Sequence, residues 1–288
     1  MGPGRVACLR RGTYRRNLKL TRGGTSEQRA VLRSAPGHRV RIVGRLVVGR
    51  SANHVTIRDL SLNGRNRKRL PSPTVNATGT TFLHNDVTNR NTAICFVLGS
   101  TGYGEARETA LLANRIHHCG TLPASNHDHG IYVEEATDTL IAGNWIYDNA
   151  DRGVQLYPNA QRTRVIQNVI HRNGSGVIFS GDRGLASNDN LVEGNAISDS
   201  TQRYNVESYY PDGNPEGSNN LVRRNCIAGG ARNSVDGGIL HPQRGFDLSD
   251  NLRRHPRPIR PRRGDLRPRD PLCRRLVGGG GPRPGPRR

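Results

Sequence analysis

The sequence predicts an all-β chain wound into a right-handed parallel β-helix, a solenoid of short strands, and three observations carry this reading. First, the motif Asn-x-Ile/Val recurs at Asn85-Asp86-Val87, Asn114-Arg115-Ile116, Asn144-Trp145-Ile146, Asn168-Val169-Ile170, Asn195-Ala196-Ile197 and Asn225-Cys226-Ile227. Its spacings are 29, 30, 24, 27 and 30 residues, and periods of this length mark solenoids. Second, only 33% of the residues are hydrophobic and 5% aromatic. That is thin for one wide core but enough for coils that each turn a few side chains inward. Third, no segment carries an apolar stripe of helical period, whereas short alternating runs bounded by Gly and Asn are frequent.

The elements follow in order along each coil. An apolar pair opens it, as in Leu140-Ile141, Val165-Ile166, Leu191-Val192 and Leu221-Val222. The Asn then sits at a bend, where its amide can bond the next coil's Asn about 4.8 Å away and form a ladder. Asp59 reads as a looser first member, 26 residues before Asn85. An inward Ile or Val follows, then a second bend such as Asp148-Asn149 or Arg172-Asn173-Gly174. Strands starting at Gly130, Gly153 and Gly176 close the coil and set a register of 23 residues. Strand alternation turns Ile131, Val133, Val154, Leu156, Val177 and Phe179 inward. Three longer segments interrupt the pattern at 98–105, 121–129 and 208–217, and such insertions become loops on a solenoid.

Three parts are expected: a cap with an irregular first coil over residues 1–51, the β-helix over 52–244, and a disordered basic tail over 245–288. The chain carries a net charge of +21. From His241 onward, 14 Arg against 4 acidic residues supply +10 of it. Charge concentrated outside the coils argues against a nucleic-acid surface on the folded part. No run is long and apolar enough to span a membrane, and no apolar stretch follows Met1-Gly2-Pro3-Gly4-Arg5 to mark a secretory signal. Among the five cysteines there is no Cys-x-x-Cys pair and no zinc-like spacing. Cys95 and Cys226 read as small buried hydrophobes, and Cys119, beside His117 and His118, is a weak signal for a nucleophile.

The glycine register also aligns polar residues. His129 stacks on Arg152 and Ser175, and Asp128 stacks on Asp151. On the outward face, Tyr132 stacks on Gln155 and Ile178, Glu134 on Tyr157 and Ser180, and Glu207 continues the stripe. An Arg at position 152 suits a carboxylate on a sugar ring, by a bidentate pair that acidifies the neighbouring C–H. His129 or Tyr132 can then remove that proton or protonate a leaving oxygen. His127, Glu134, Gln155, Tyr157 and Glu207 are the expected binding residues, the tyrosines by stacking on sugar faces. Asp128 and Asp151, if close, would raise one pKa or recruit a cation such as Ca²⁺. The plainer alternative stays open: Asp before a strand Gly is an ordinary turn residue, and His117, His118 and His171 sit where solvated bends are expected.

These Asn-x-Ile coils with Gly-Ile/Val-x-Leu/Val/Phe strands resemble the right-handed parallel β-helix repeat proteins of the pectin-lyase-like superfamily, over roughly residues 40–240. The resemblance implies an extracellular, monomeric protein whose partner is an acidic polysaccharide, acting as a lyase or a uronate C5-epimerase. A non-catalytic, glycan-binding or structural β-helix is the alternative. Mannuronan C5-epimerases and related alginate lyases are similar in pairing an Asp-x-His cluster with an Asp in the next coil. Asp128, His129 and Asp151 occupy comparable places. The order here is His127-Asp128-His129-Gly130, and the Asp-Pro-His core of that group is missing.

Overall fold

A computed structural model describes residues 1–240 and 245–255. Its strands form three sheets of ten, nine and eleven strands, and each coil contributes one strand to each sheet in turn. Pairing along the stack is parallel throughout. One short antiparallel strand, Leu185–Ala186, folds back onto Ser175–Asp182.

The core is three columns of inward side chains. The first sheet stacks Ile57, Phe82, Leu111, Ile141, Val165, Val192 and Val222. The second stacks Val87, Ile116, Ile146, Ile170, Ile197 and Ile227, the apolar position of the Asn motif. In the third sheet all six residues that alternation turns inward, from Ile131 to Phe179, are fully buried. Burying each such side chain contributes about 1.5–3 kcal/mol.

The Asn motif forms the expected ladder. Each residue before the Asn takes a left-handed φ of +50° to +65°, at His84, Ala113, Gly143, Gln167, Gly194 and Arg224. That single reversed residue turns the chain from the first sheet into the second. The Asn amides then bond coil to coil: Asn85 Nδ2 donates to Asn114 Oδ1 (3.0 Å), Asn114 to Asn144 (3.1 Å), Asn144 to Asn168 (2.9 Å), Asn168 to Asn195 (3.0 Å) and Asn195 to Asn225 (2.9 Å). Each Oδ1 also accepts the backbone N–H of the preceding coil's Asn. Most buried polar side chains in proteins are satisfied by hydrogen bonds, and the ladder does this for every Asn in it. A shorter ladder, Asn149 to Asn173 (2.8 Å), lines the second bend. It also explains the strand glycines: a Cβ on Gly130 or Gly153 would come within 2.9 Å of these amides.

Several expectations need correction. Leu60, not Asp59, occupies the ladder column, since its N–H donates to Asn85 Oδ1 (3.2 Å); Asp59 is the left-handed bend residue before it. Residues 1–51, expected as a cap with an irregular first coil, carry six strands from Val6–Leu9 to Leu46–Val48, paired in the same three sheets. The coil pattern also runs past residue 245: Asp247–Ser249 joins the first sheet and Asn251 extends the ladder at 2.9 Å from Asn225. The remainder of the expected disordered tail, 256–288, lies outside the described residues. Cys95 and Cys226, expected as small buried hydrophobes, are both disulfide-bonded, Cys95 to Cys119. That bond also removes Cys119 as a nucleophile, while Cys8 is free and exposed.

Candidate active site

The third sheet presents its outward face through the strands Phe96–Leu98, Ile131–Thr137, Arg152–Gln161, Ser175–Asp182 and Val206–Tyr209. Their register puts Val97, Tyr132, Gln155, Ile178 and Glu207 in one outward column. Tyr157, Ser180 and Tyr209 form the next. The segment 121–129 stands beside these columns as a loop, and together they enclose a cleft of about 250 Å³. His127, His129, Tyr132, Arg152, Gln155 and Tyr157 line it, with Asn126, Ile94, Ile178, Ser180, Tyr209 and Pro211. Six of the ten residues singled out in the sequence therefore meet at one place.

The other four stand behind or beside it. Asp128 faces its own loop: its carboxylate accepts hydrogen bonds from Thr121 N (2.6 Å), Ser125 N (2.9 Å) and Ser125 Oγ (2.6 Å). Burial opposes its ionisation, but these bonds hold its pKa below the ordinary value. The loop neck is closed by Gly120, where a Cβ would lie 2.3 Å from the Asp128 carbonyl oxygen. The disulfide to Cys95 anchors the same neck. Asp151 lies below the cleft and pairs with Arg152 (Oδ2 to Nη1, 2.6 Å). Asp128 and Asp151 stack through their backbones (2.9 Å), yet their carboxylates serve different partners. They thus offer no shared carboxylate pair for Ca²⁺. Among the described residues no group of three or more His, Cys, Asp or Glu is arranged to hold a metal. Glu207 is buried, accepts from Ser175 Oγ (2.8 Å) and pairs with Arg203 (3.2 Å). Glu134 lies outside this cleft, facing an adjoining cavity that shares Tyr132 with it.

His129 is the most unusual group in the site. It is 2% exposed. Its Nδ1 lies 3.7 Å from Asp151 Oδ2 and has no hydrogen-bond partner. The ring itself lines the cleft. Burial, reinforced by the Arg152 guanidinium, holds the imidazole well below its ordinary pKa, so it is neutral near pH 7. Its ring meets Tyr132 edge-on at 5.5 Å, and Tyr132 stacks on Tyr157 at 6.2 Å. Burial, then Glu134 and Tyr157, raise the Tyr132 phenol's pKa, which keeps it protonated. Tyr157 donates to Asp182 (2.9 Å). Gln155 Oε1 is buried beside the cleft with no partner.

Arg152 is held from both sides. Its Nη1 donates to Asp151 and to the Asn126 carbonyl (2.6 Å each), so the loop clamps the guanidinium. The sequence reading missed Arg203, whose Nη1 reaches Asn126 Oδ1 (3.0 Å) while its Nη2 pairs with Glu207. The coil step here is 29 residues and not 23, so Arg203 is reached only by counting back from Glu207 in its column. Asn205 replaces the strand glycine there, since Val206 pairs with Val177, and Arg203 falls in the column of Asp128 and Asp151. Burial raises the Asp151 pKa, opposed by the charges of Arg152 and Arg203.

Comparisons with known proteins agree with this architecture. The chain is similar to an alginate lyase from Paenibacillus sp. str. FPU-7, at 14% identity and TM-score 0.58, covering 87% of this chain and 93% of that one. It is similar to the A-module of a mannuronan C-5 epimerase from Azotobacter vinelandii, at 16% identity and TM-score 0.49, covering 86% of each. It also resembles the Dettilon tailspike protein, at 14% identity and TM-score 0.46, covering 85% of this chain but spanning only 61% of that one. No curated protein matches the sequence. No helix among the described residues is long and apolar enough to cross a membrane, which says nothing of a β-barrel. The pattern of the family described as "Right handed beta helix region" matches residues 48–238, the stretch in which the Asn ladder and the three stacked sheets are most regular, and the chain belongs to that family.

Proposed function

We propose that the protein acts on a uronic-acid polysaccharide, as a lyase or a C5-epimerase, in the His129–Tyr132 cleft. The observation that carries this is a buried imidazole in edge-on contact with a phenol, both lining one cleft with a guanidinium. Both reactions begin by removing the proton next to a carboxyl group. Arg152 would bind and neutralise that carboxylate, which makes the proton more acidic. Its bond to Asn126 and its pairing with Asp151 hold it in place for this. His129 is the base, and the neutral Tyr132 hydroxyl is the acid. Tyr132 would protonate the leaving glycosidic oxygen in a lyase, or the opposite face of the sugar carbon in an epimerase. Tyr157 offers a stacking face, and Gln155 Oε1 is an unpaired acceptor for a sugar hydroxyl. Asp128 and Glu207 act as positioning residues, the first for the loop and the second for Arg203. An extracellular place fits the Cys95–Cys119 bond, because disulfides persist in oxidising compartments.

A second reading has one specific observation behind it. Arg152 and Arg203 are already paired with Asp151 and Glu207, as in a β-helix that binds glycans without turning them over. Incubation with alginate, pectate and glycosaminoglycans separates the two. A lyase creates unsaturated ends that absorb in the ultraviolet, and an epimerase changes the uronate composition seen by NMR. Binding with neither change would establish the second reading and remove the first.

A further inference from the structure

The groove on the third sheet is larger than the cleft, and its two halves differ. N-terminal to Tyr132 it opens into a cavity of about 780 Å³, which shares Ile94 and Tyr132 with the cleft. The outward column continues from Tyr132 through Val97, Thr74 and Val47 to Lys19. Four coil steps give this arm about 19 Å at the spacing of paired strands, room for several sugar rings. Lys19, Arg45 and Arg50 line it, against the single carboxylate of Glu134. Tyr103 stands at its rim, 74% exposed. An aromatic ring left in water beside a groove is the usual partner of an apolar sugar face.

The C-terminal half is short. The cleft there is smaller than the roughly 300–1,000 Å³ that holds a drug-sized ligand, so it takes about one ring. Tyr209, 63% exposed, and Pro211 form its far side. They belong to the turn 208–217, which carries Asp212 and Glu216 and no basic residue. Asp182 lies on the same side, with Arg183 as its ion-pair partner (3.9 Å). A polyanion is thus drawn along the basic N-terminal arm as far as Arg152, and Tyr209 and Pro211 close the groove beyond it.

We propose that the groove engages polysaccharide chain ends: a uronate chain lies along the N-terminal arm with its last ring in the His129–Tyr132 cleft, and does not run through. This rests on the uronate reading of that cleft. Calorimetry with uronate hexamers tests it, using hexamers that are free, blocked by a bulky group at one terminus, at the other, or at both. Free hexamers and one of the two singly blocked forms should bind alike. The other singly blocked form and the doubly blocked one should lose affinity by about tenfold or more, or 1.4 kcal/mol. Equal binding of all four forms would overturn the end-on arrangement and leave the uronate reading standing. Failure of every uronate oligomer to bind would sink the uronate reading itself. Two exposed substitutions sharpen the result without disturbing the core. Tyr103→Ala should weaken hexamers more than dimers, and Tyr209→Ala should restore part of the binding of blocked hexamers.

Discussion

Each central coil has two kinds of bend, and they are built on opposite plans. At the first, the same residue type returns in every coil, from Asn85 to Asn251, and each amide satisfies its neighbour above and below. At the entry to the third sheet, past the short Asn149–Asn173 ladder, the residue before each strand glycine changes from coil to coil: His129, Arg152 and Ser175. There, buried polar atoms are left without partners, including His129 Nδ1, Gln155 Oε1 and Arg152 Nε. A ladder that satisfies itself has nothing left to offer a ligand. A cluster with unpaired buried groups costs stability, and costs of that kind are common where chemistry is done. The ladder should therefore carry stability without activity, and the cleft activity without stability.

The largest expected effect tests the second half of that contrast. His129→Ala should lower turnover of a uronate polymer by about 10²–10⁴-fold, the range for a lost general base, with little change in the urea midpoint. An active His129→Ala protein would remove the site assignment. Asn144→Ala tests the first half. Asn144 Oδ1 accepts from both Asn114 N (2.8 Å) and Asn114 Nδ2 (3.1 Å), so its loss strands two buried donors. A destabilisation of about 3 kcal/mol is expected, read from urea denaturation, with turnover unchanged under conditions where the variant is folded. A loss below about 1 kcal/mol, the net worth of one ordinary hydrogen bond, would mean the ladder relaxes and is not the main support.

What could be read from the sequence follows the same division. The ladder, the inward columns and the Tyr132-Gln155-Ile178-Glu207 face were legible because each residue's place is set by a period. Where coil lengths vary, spacing alone does not separate Asp59 from Leu60 as the ladder position. Asn251 lacks the motif's apolar residue, since Arg253 stands where the other coils have Ile or Val. Asp128 was placed correctly in its column, but its carboxylate turns into a loop whose hydrogen bonds have no period to read. The disulfide did leave a trace. Cys95 and Cys119 are separated by 24 residues, one coil length, which puts them on adjacent coils.

That disulfide joins the two regions, because it ties the regular strand Phe96–Leu98 to the neck of the 121–129 loop. Closing a loop of this length is worth about 3 kcal/mol in the chain-entropy account. Cys95→Ala with Cys119→Ala should lower global stability by up to that amount. If the loop is the cleft's wall, turnover should fall as well, through a higher KM, because Asn126 would no longer hold Arg152 in place. Lost stability with an unchanged KM would show that the Asp128 hydrogen bonds alone shape the loop.

The smallest effect concerns pH, and its sign follows from the neutral state of His129. Burial and Arg152 hold the folded-state pKa of His129 well below 6.5. Below pH 6.5 the unfolded chain therefore binds a proton that the folded chain refuses. The stability this group contributes is complete above pH 6.5 and is lost as the pH falls toward its folded-state pKa. The slope is at most about 1.4 kcal/mol per pH unit. His118 and His171 are also lowered by burial and add slopes of the same sign. The raised pKa of Asp151 acts in the opposite direction at lower pH. Comparing the protein with His129→Gln between pH 5 and 7 cancels these shared contributions, since both proteins keep them. The wild-type protein should lose stability relative to His129→Gln as the pH falls, because only the wild-type protein is losing the His129 contribution. A constant difference across the range would mean that the imidazole takes up its proton in the folded state. Burial would then not set the protonation of the imidazole in the cleft.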